Sequence, residues 1–312
     1  MTIEPDRIGS VDAAVHRIRT ADDVELAITR LSPAGDGSPG APVVLVPGTF
    51  CQRSFWISRN GVGLGPFLRE RGHDVWIMEL RGHGLSPKDR RFRRWSAEDH
   101  LRHDLPAVQA LVETETGRRA HWVGHSWGGT AIVGSMAGGW LDQDRVRSAC
   151  VLGANITEGD EWMKRRLPRL GAWLLLTALG RVPARLFRLG PEDESRAYIL
   201  EFYRWKGASP RWETRGGRSY WDGVRGIRAP LLTFAAAADT NDPWTGCKEL
   251  FDATGSDDKS FVLLGEEQGF SHDYEHVEMI IGKAAQAEVW PRIADWLDAR
   301  GSAQAAAQDQ AQ

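Results

Sequence analysis

Ser126 stands at the centre of Gly124-His125-Ser126-Trp127-Gly128, the G-x-S-x-G spacing of a nucleophile held on a sharp turn. A serine hydroxyl at its ordinary pKa attacks poorly. It needs a base within hydrogen-bond reach and a third group to orient that base. Candidates for both lie downstream. Asp239 and Asp242 fall in Ala238-Asp239-Thr240-Asn241-Asp242-Pro243, and His272 and His276 in Ser271-His272-Asp273-Tyr274-Glu275-His276-Val277-Glu278. A serine on such a turn has a strained backbone, and neighbouring side chains would collide with it. Gly124 and Gly128 remove them. A helix starting just after Ser126 would offer free backbone N–H groups to a developing oxyanion. The pentapeptide also fits a glycine-rich turn with an incidental serine, so its place in the chain must decide.

The elements around these residues have the right periodicities. Ala120 to Val123 reads as a buried strand, and Gly129 to Ala137, small and apolar, as a helix packed tightly on a sheet. Upstream, Val11 to Arg19 and Val24 to Leu31 alternate like half-buried strands of a hairpin. Val43 to Val46, Asp74 to Leu80 and Ser148 to Gly153 are apolar runs suited to a parallel sheet covered on both faces. Leu64 to Arg71 and Ser96 to Gly117 read as helices between them, the second capped by Ser96 with Asp99. After a break from Asn155 to Ala229, strand patterning resumes at Pro230 to Phe234 and Ser260 to Leu264. Helices are expected at Trp244 to Ala253 and Ala284 to Leu297. Alternating strands and helices imply right-handed βαβ units. The sequence therefore predicts an α/β core over 1–154 and 230–300. A helical insertion fills 155–229, and the Ala/Gln-rich tail 301–312 is expected to be disordered.

Composition narrows the function classes. At 312 residues, 42% hydrophobic and 26% charged, the chain suits a large soluble α/β domain. A net charge of −3 gives no electrostatic case for nucleic acid. Three widely spaced cysteines, Cys51, Cys150 and Cys247, argue against a disulfide framework or zinc site and suit a cytoplasmic location. No apolar leader or membrane span is read, and no metal or cofactor is expected. Gly61-Val62-Gly63-Leu64-Gly65 lacks the strand that a dinucleotide fingerprint requires.

With Ser126 placed after the third parallel strand, the chain resembles the α/β-hydrolase superfamily from about Val11 to Leu297, more narrowly its bacterial esterase and lipase relatives. Five ordered matches carry the resemblance: Pro47-Gly48-Thr49-Phe50, Arg81-Gly82-His83-Gly84, the turn at Ser126, the acid-bearing Ala238 to Pro243, and the histidine-bearing Ser271 to Glu278. The resemblance implies a Ser126, Asp239, His276 triad, with His276 favoured over His272 and Asp239 over Asp242. Asp242 reads as a cap for the helix that Pro243 begins. Glu79 reads as structural, pairing with Arg81. The backbone N–H groups of Thr49 and Trp127 would form the oxyanion hole, although Pro47 stands where the family more often has His. Phe50 and Cys51 would line the acyl side, with His272 at the pocket mouth and the Trp127 indole narrowing the pocket.

In this family such an insertion covers the site. Here it is rich in arginine and aromatics, among them Trp162, Trp173, Tyr198, Phe202, Trp205, Trp212, Tyr220 and Trp221. Trp173 and Trp205 are expected to reach substrate; the rest would form the insertion's own small core. The expected reaction is acyl-enzyme hydrolysis of a small-molecule carboxylic ester or a lactone with an apolar or bulky group. Thioester, amide or carbon–carbon cleavage on the same triad is the first alternative, and a non-catalytic binding protein the second.

Overall fold

The computed structural model describes residues 1–34, 40–158, 166–206 and 211–309. Its strands are Thr2–Ile8 (β1), Val11–Arg19 (β2), Glu25–Leu31 (β3), Pro42–Val46 (β4), Asp74–Met78 (β5), Ala120–His125 (β6), Val146–Leu152 (β7), Arg181–Val182 (β8), Glu194–Ser195 (β9), Leu231–Ala236 (β10) and Lys259–Leu264 (β11). Its α-helices are Leu64–Glu70 (α1), Ala97–Asp99 (α2), Leu105–Thr116 (α3), Trp127–Gly138 (α4), Arg166–Leu179 (α5), Ala184–Phe187 (α6), Arg196–Lys206 (α7), Tyr220–Val224 (α8), Trp244–Ala253 (α9), Lys283–Glu288 (α10) and Trp290–Asp309 (α11).

The main sheet has the order β1-β2-β3-β5-β4-β6-β7-β10-β11. From β5 to β11 all neighbours are parallel, while β1, β2 and β3 add an antiparallel edge. The apolar runs are explained by burial on both faces. Val44 and Val46 of β4 join the core under α3 and α4, whereas Val43 and Leu45 join the core under α1 and α11. Each such side chain contributes roughly 1.5–3 kcal/mol of transfer free energy.

The topology also fixes where a site can form. From β4 the chain crosses to β5 on one side and then back to β6 on the other. The carboxyl ends of β4 and β6 therefore adjoin, with Val46 opposite Gly124. A reversal of this kind leaves a crevice beyond the strand ends. The loops after β4, β6, β7, β10 and β11 all open onto that edge.

Several elements differ from expectation. β1 pairs in full register with β2, although its mixed polarity gives no strand signal. Between α2 and α3 the helix makes a π turn at His100–Asp104. Pro106 has no N–H to return to the carbonyl four residues back, which favours such an irregularity there. The insertion, expected to lack strands, carries the short β8–β9 pair. The final helix reaches Asp309, into the stretch expected to be disordered; its alanines and glutamines favour helix. Gln310 to Gln312 and Trp162 lie outside the described residues. Among the described residues no helix is long and apolar enough to cross a membrane.

Candidate active site

Ser126 joins β6 to α4 with φ 56° and ψ −124°, a conformation rarely adopted by a residue with a side chain. Such strain is of order 1–3 kcal/mol and must be held by its surroundings. The glycines beside it do this by allowing close approach. A Cβ at Gly128 would lie 2.2 Å from the Val46 carbonyl oxygen, and one at Gly124 would lie 2.6 Å from the Gly128 backbone. The Ser126 N–H donates to Leu152 O at 2.7 Å, tying the turn to β7.

The loop after β4 packs on the same turn. A Cβ at Gly48 would sit 3.1 Å from Ser126 Cβ and 3.2 Å from His125 O. Thr49 follows immediately, its Oγ1 sharing a 2.6 Å hydrogen bond with Tyr198 OH of α7. Trp127 is the first residue of α4, where no carbonyl four residues back within the helix can accept its N–H.

The downstream aspartate and histidine meet. His276 Nδ1 donates to Asp239 Oδ2 at 2.6 Å, and the Asp239 side chain is completely buried. Asp239 Oδ1 accepts the N–H groups of Asn241 and Asp242, both at 2.9 Å, which fixes the carboxylate plane. Gly153 leaves room for the ring: a Cβ there would be 3.1 Å from His276 Cε1. Burial pulls the His276 pKa down. The Asp239 hydrogen bond and the Asp242 and Asp239 charges outweigh burial and a smaller opposing effect of Lys206, so the net shift is upward.

Asp242 does not occupy the capping position expected of it; that position belongs to Pro243. Its carboxylate instead turns inward because its own N–H is held by Asp239. There it accepts the Ser126 Oγ–H at Oδ2, 3.4 Å away, and the same oxygen lies 3.7 Å from His276 Nε2. Its Oδ1 pairs with Lys206 Nζ from the end of α7.

Residues 43–303 match the alpha/beta hydrolase family model. The chain belongs to the alpha/beta hydrolase family. It is 30% identical over 151 residues to "Triacylglycerol lipase 2" of Arabidopsis thaliana, a match covering 44% of this chain and 36% of that protein. It is 35% identical over 127 residues to human "Lipase member K", covering 36% and 32%. The chain thus spans about a third of the length of these curated relatives. Among solved structures, a soluble variant of monoglyceride lipase from Saccharomyces cerevisiae in complex with a substrate analog superposes with a TM-score of 0.69. Its identity is 15%, over 95% of this chain and 98% of that one. A monoacylglycerol lipase of Paleococcus ferrophilus gives 0.60 at 17% identity, over 88% and 99%. At these identities the structures establish the α/β-hydrolase fold, with its mostly parallel sheet flanked by helices.

Other residues of this family member fall differently from expectation. The Trp127 indole is buried and donates to His100 Nδ1 at 3.0 Å, so it anchors α4 to the π turn and does not narrow a pocket. Around it pack Tyr198, Phe202 and Trp205 of α7, with ring centroids 5.3–6.1 Å away. Trp205 is fully buried behind Trp127 and also meets Tyr220, and thus belongs to the insertion's core. Trp173 lies on α5, 44% exposed, and its described contacts do not reach Ser126. His272 stacks on Tyr274 with centroids 4.2 Å apart and meets Glu278 at 3.3 Å, not Ser126. Phe50, at φ 62°, donates its N–H to Glu194 and accepts at its carbonyl from the Glu192 N–H, so the insertion clamps this loop. Burial pushes the Cys51 thiol up to about 12, which leaves it unreactive. Glu79 does not pair with Arg81, which instead binds Asp104 and Asp22. Glu79 accepts the Arg53 N–H at 3.1 Å.

Sequence reasoning missed His125, Lys206, Tyr198 and Glu194, and misread Asp242. His125 Nε2 donates to the His276 carbonyl at 2.8 Å. Burial, with the nearby His276 ring, lowers its pKa to about 3, so it stays neutral and holds the loop that carries His276. Asp239 and Asp242 stand three apart, and an aspartate accepting its own downstream N–H groups is a local signal that could have flagged Asp242. Lys206 has no local signal.

Proposed function

We propose that this protein is a serine hydrolase of carboxylic esters acting through an acyl-enzyme. The 2.6 Å bond from His276 Nδ1 to Asp239 Oδ2, on the same sheet edge as the strained Ser126, carries the reading. With its Nδ1–H given to Asp239, His276 presents an unprotonated Nε2 as base. Ser126 Oγ, turned from Asp242 to Nε2, attacks the ester carbonyl as Nε2 takes its proton. The developing oxyanion meets the N–H groups of Trp127 and Thr49. Nε2 then protonates the leaving alcohol, and water repeats the sequence to release the acid.

The insertion 155–229 acts as a cap in this reading, joined to the core through Tyr198, Glu194 and Lys206. Its aromatics mostly pack on one another, Phe202 on Tyr198 among them, and half-buried Phe50 of the loop after β4 is the apolar group offered to an acyl chain. Similarity to proteins named triacylglycerol and monoglyceride lipases supports an apolar acyl ester over a lactone. Ser126→Ala is expected to abolish hydrolysis of short p-nitrophenyl esters and labelling by a fluorophosphonate. An alanine variant as active as the parent sinks the proposal.

A further inference from the structure

Asp242 stands against both reacting groups, yet the triad does not require a carboxylate there. One oxygen, Oδ2, is 3.4 Å from Ser126 Oγ and 3.7 Å from His276 Nε2. The other, Oδ1, pairs with Lys206 Nζ. The two residues are only 6% and 3% exposed. A buried ion pair gives little or no stability over well-packed apolar residues. Stability alone therefore does not account for a carboxylate held against the nucleophile.

Acylation changes what Asp242 faces. The Ser126 hydroxyl has lost its proton and no longer donates to Oδ2. Two acceptors then remain 3.7 Å apart, Asp242 Oδ2 and the unprotonated Nε2 of His276, and neither can satisfy the other. A single water bridging the two from one side, about 2.8 Å from each, gives one O–H to each. The pairing of Asp242 with Lys206 leaves no net charge to attract an ionic ligand in its place.

We propose that Asp242, held by Lys206, is the second acceptor that positions the hydrolytic water, and so selects water over alcohols as the acyl acceptor. This rests on the Ser126 acyl-enzyme reading. As the water oxygen bonds to the acyl carbon, one of its protons passes to His276 Nε2, and the other O–H stays donated to Asp242 Oδ2. The bond from the acyl carbon to Ser126 Oγ then breaks. Its electron pair returns to Oγ, which takes the proton from Nε2, and the carboxylic acid leaves. An alcohol has one O–H, which it must give to His276. Its alkyl group would then lie against Asp242 with nothing to donate.

The test is the partition of one acyl-enzyme between water and methanol. In Asp242→Asn the amide oxygen faces Lys206 and the NH2 group faces Ser126 and His276, replacing an acceptor by a donor of equal size. Protein and p-nitrophenyl butyrate are mixed with methanol, butyric acid and methyl butyrate are quantified, and quenched protein is weighed intact. The product ratio does not depend on how much variant is folded. The ratio of acid to methyl ester is expected to fall about tenfold or more, the worth of one charge-assisted hydrogen bond, with acyl-enzyme accumulating. The double variant Asp242→Asn/Lys206→Met, which leaves no unpaired buried ammonium, is expected to show the same fall. A ratio unchanged in whichever variant folds overturns the proposal and leaves the pair as a tie between insertion and core. Failure of the parent protein to take a fluorophosphonate adduct at Ser126 overturns instead the Ser126 reading beneath it.

Discussion

Replacing Asp239 by Asn keeps the size of the side chain but should invert the proton on His276. Asp239 Oδ1 accepts two backbone N–H groups, from Asn241 and Asp242, each at 2.9 Å. An amide in that position must keep its oxygen there, because its NH2 group would face two donors. The NH2 group therefore turns to His276 Nδ1, where the carboxylate now accepts at 2.6 Å. The imidazole must then accept at Nδ1 and carry its proton on Nε2, which cannot take the Ser126 proton. General-base catalysis contributes about 10²–10⁴-fold, or roughly 3–5 kcal/mol of transition-state stabilisation. That is the expected loss in kcat. KM should change little, because no contact to substrate is removed. Asp239 also helps to raise the His276 pKa, so the acidic limb of the parent's pH–rate profile should lie above the ordinary histidine value of 6.5, with activity falling as pH drops through it. The residual activity of Asp239→Asn should show that limb displaced downward. The assay is p-nitrophenyl ester turnover between about pH 5 and 9, with a thermal melt to confirm folding. A folded Asp239→Asn within about threefold of the parent would refute the reasoning, as it lies far below any general-base contribution.

Three further changes probe the supports of the site. Gly128→Ala places a Cβ 2.2 Å from the Val46 carbonyl oxygen, a backbone atom that cannot swing away. It should lower stability by about 3 kcal/mol or more, read as a loss of soluble protein or of Tm. His125→Phe keeps the ring volume but removes the donor to the His276 carbonyl. It should reduce kcat about tenfold with intact folding, by circular dichroism and turnover, as one lost buried hydrogen bond to the base's loop. Burial raises the Glu79 carboxyl to about 7 from 4.5. The unfolded chain thus ionises first as pH rises, and stability falls between those two values by about 3 kcal/mol. Glu79→Gln should therefore melt higher than the parent at pH 8 and close to it at pH 5; equal offsets at both would remove burial as the cause.

The parts of this protein legible in its sequence are those with local physical causes. Runs such as Val43 to Val46 are apolar because both sheet faces are covered, and that requirement acts on each residue independently of the rest of the fold. Gly124 and Gly128 flank Ser126 because one turn allows no Cβ there. The order of serine, acid and histidine followed from motif resemblance, and Asp239 and His276 indeed meet. What the sequence did not reveal depends on which distant surfaces meet. Trp127 reads as a pocket residue until the π turn at His100 and α7 close around its indole. Trp173 and Trp205 are alike in a list of aromatics, yet one is half exposed and the other fully buried. Asp242 reads as a helix cap, because that is what an aspartate before proline does locally. Its carboxylate faces Ser126 only because Asp239 holds its N–H and Lys206, thirty-six positions earlier on α7, arrives to pair with it. The sequence by itself determined the layers and the chemistry available to Ser126. Only the tertiary structure decided which charges surround that serine, since their energies depend on distance and burial and not on spacing along the chain.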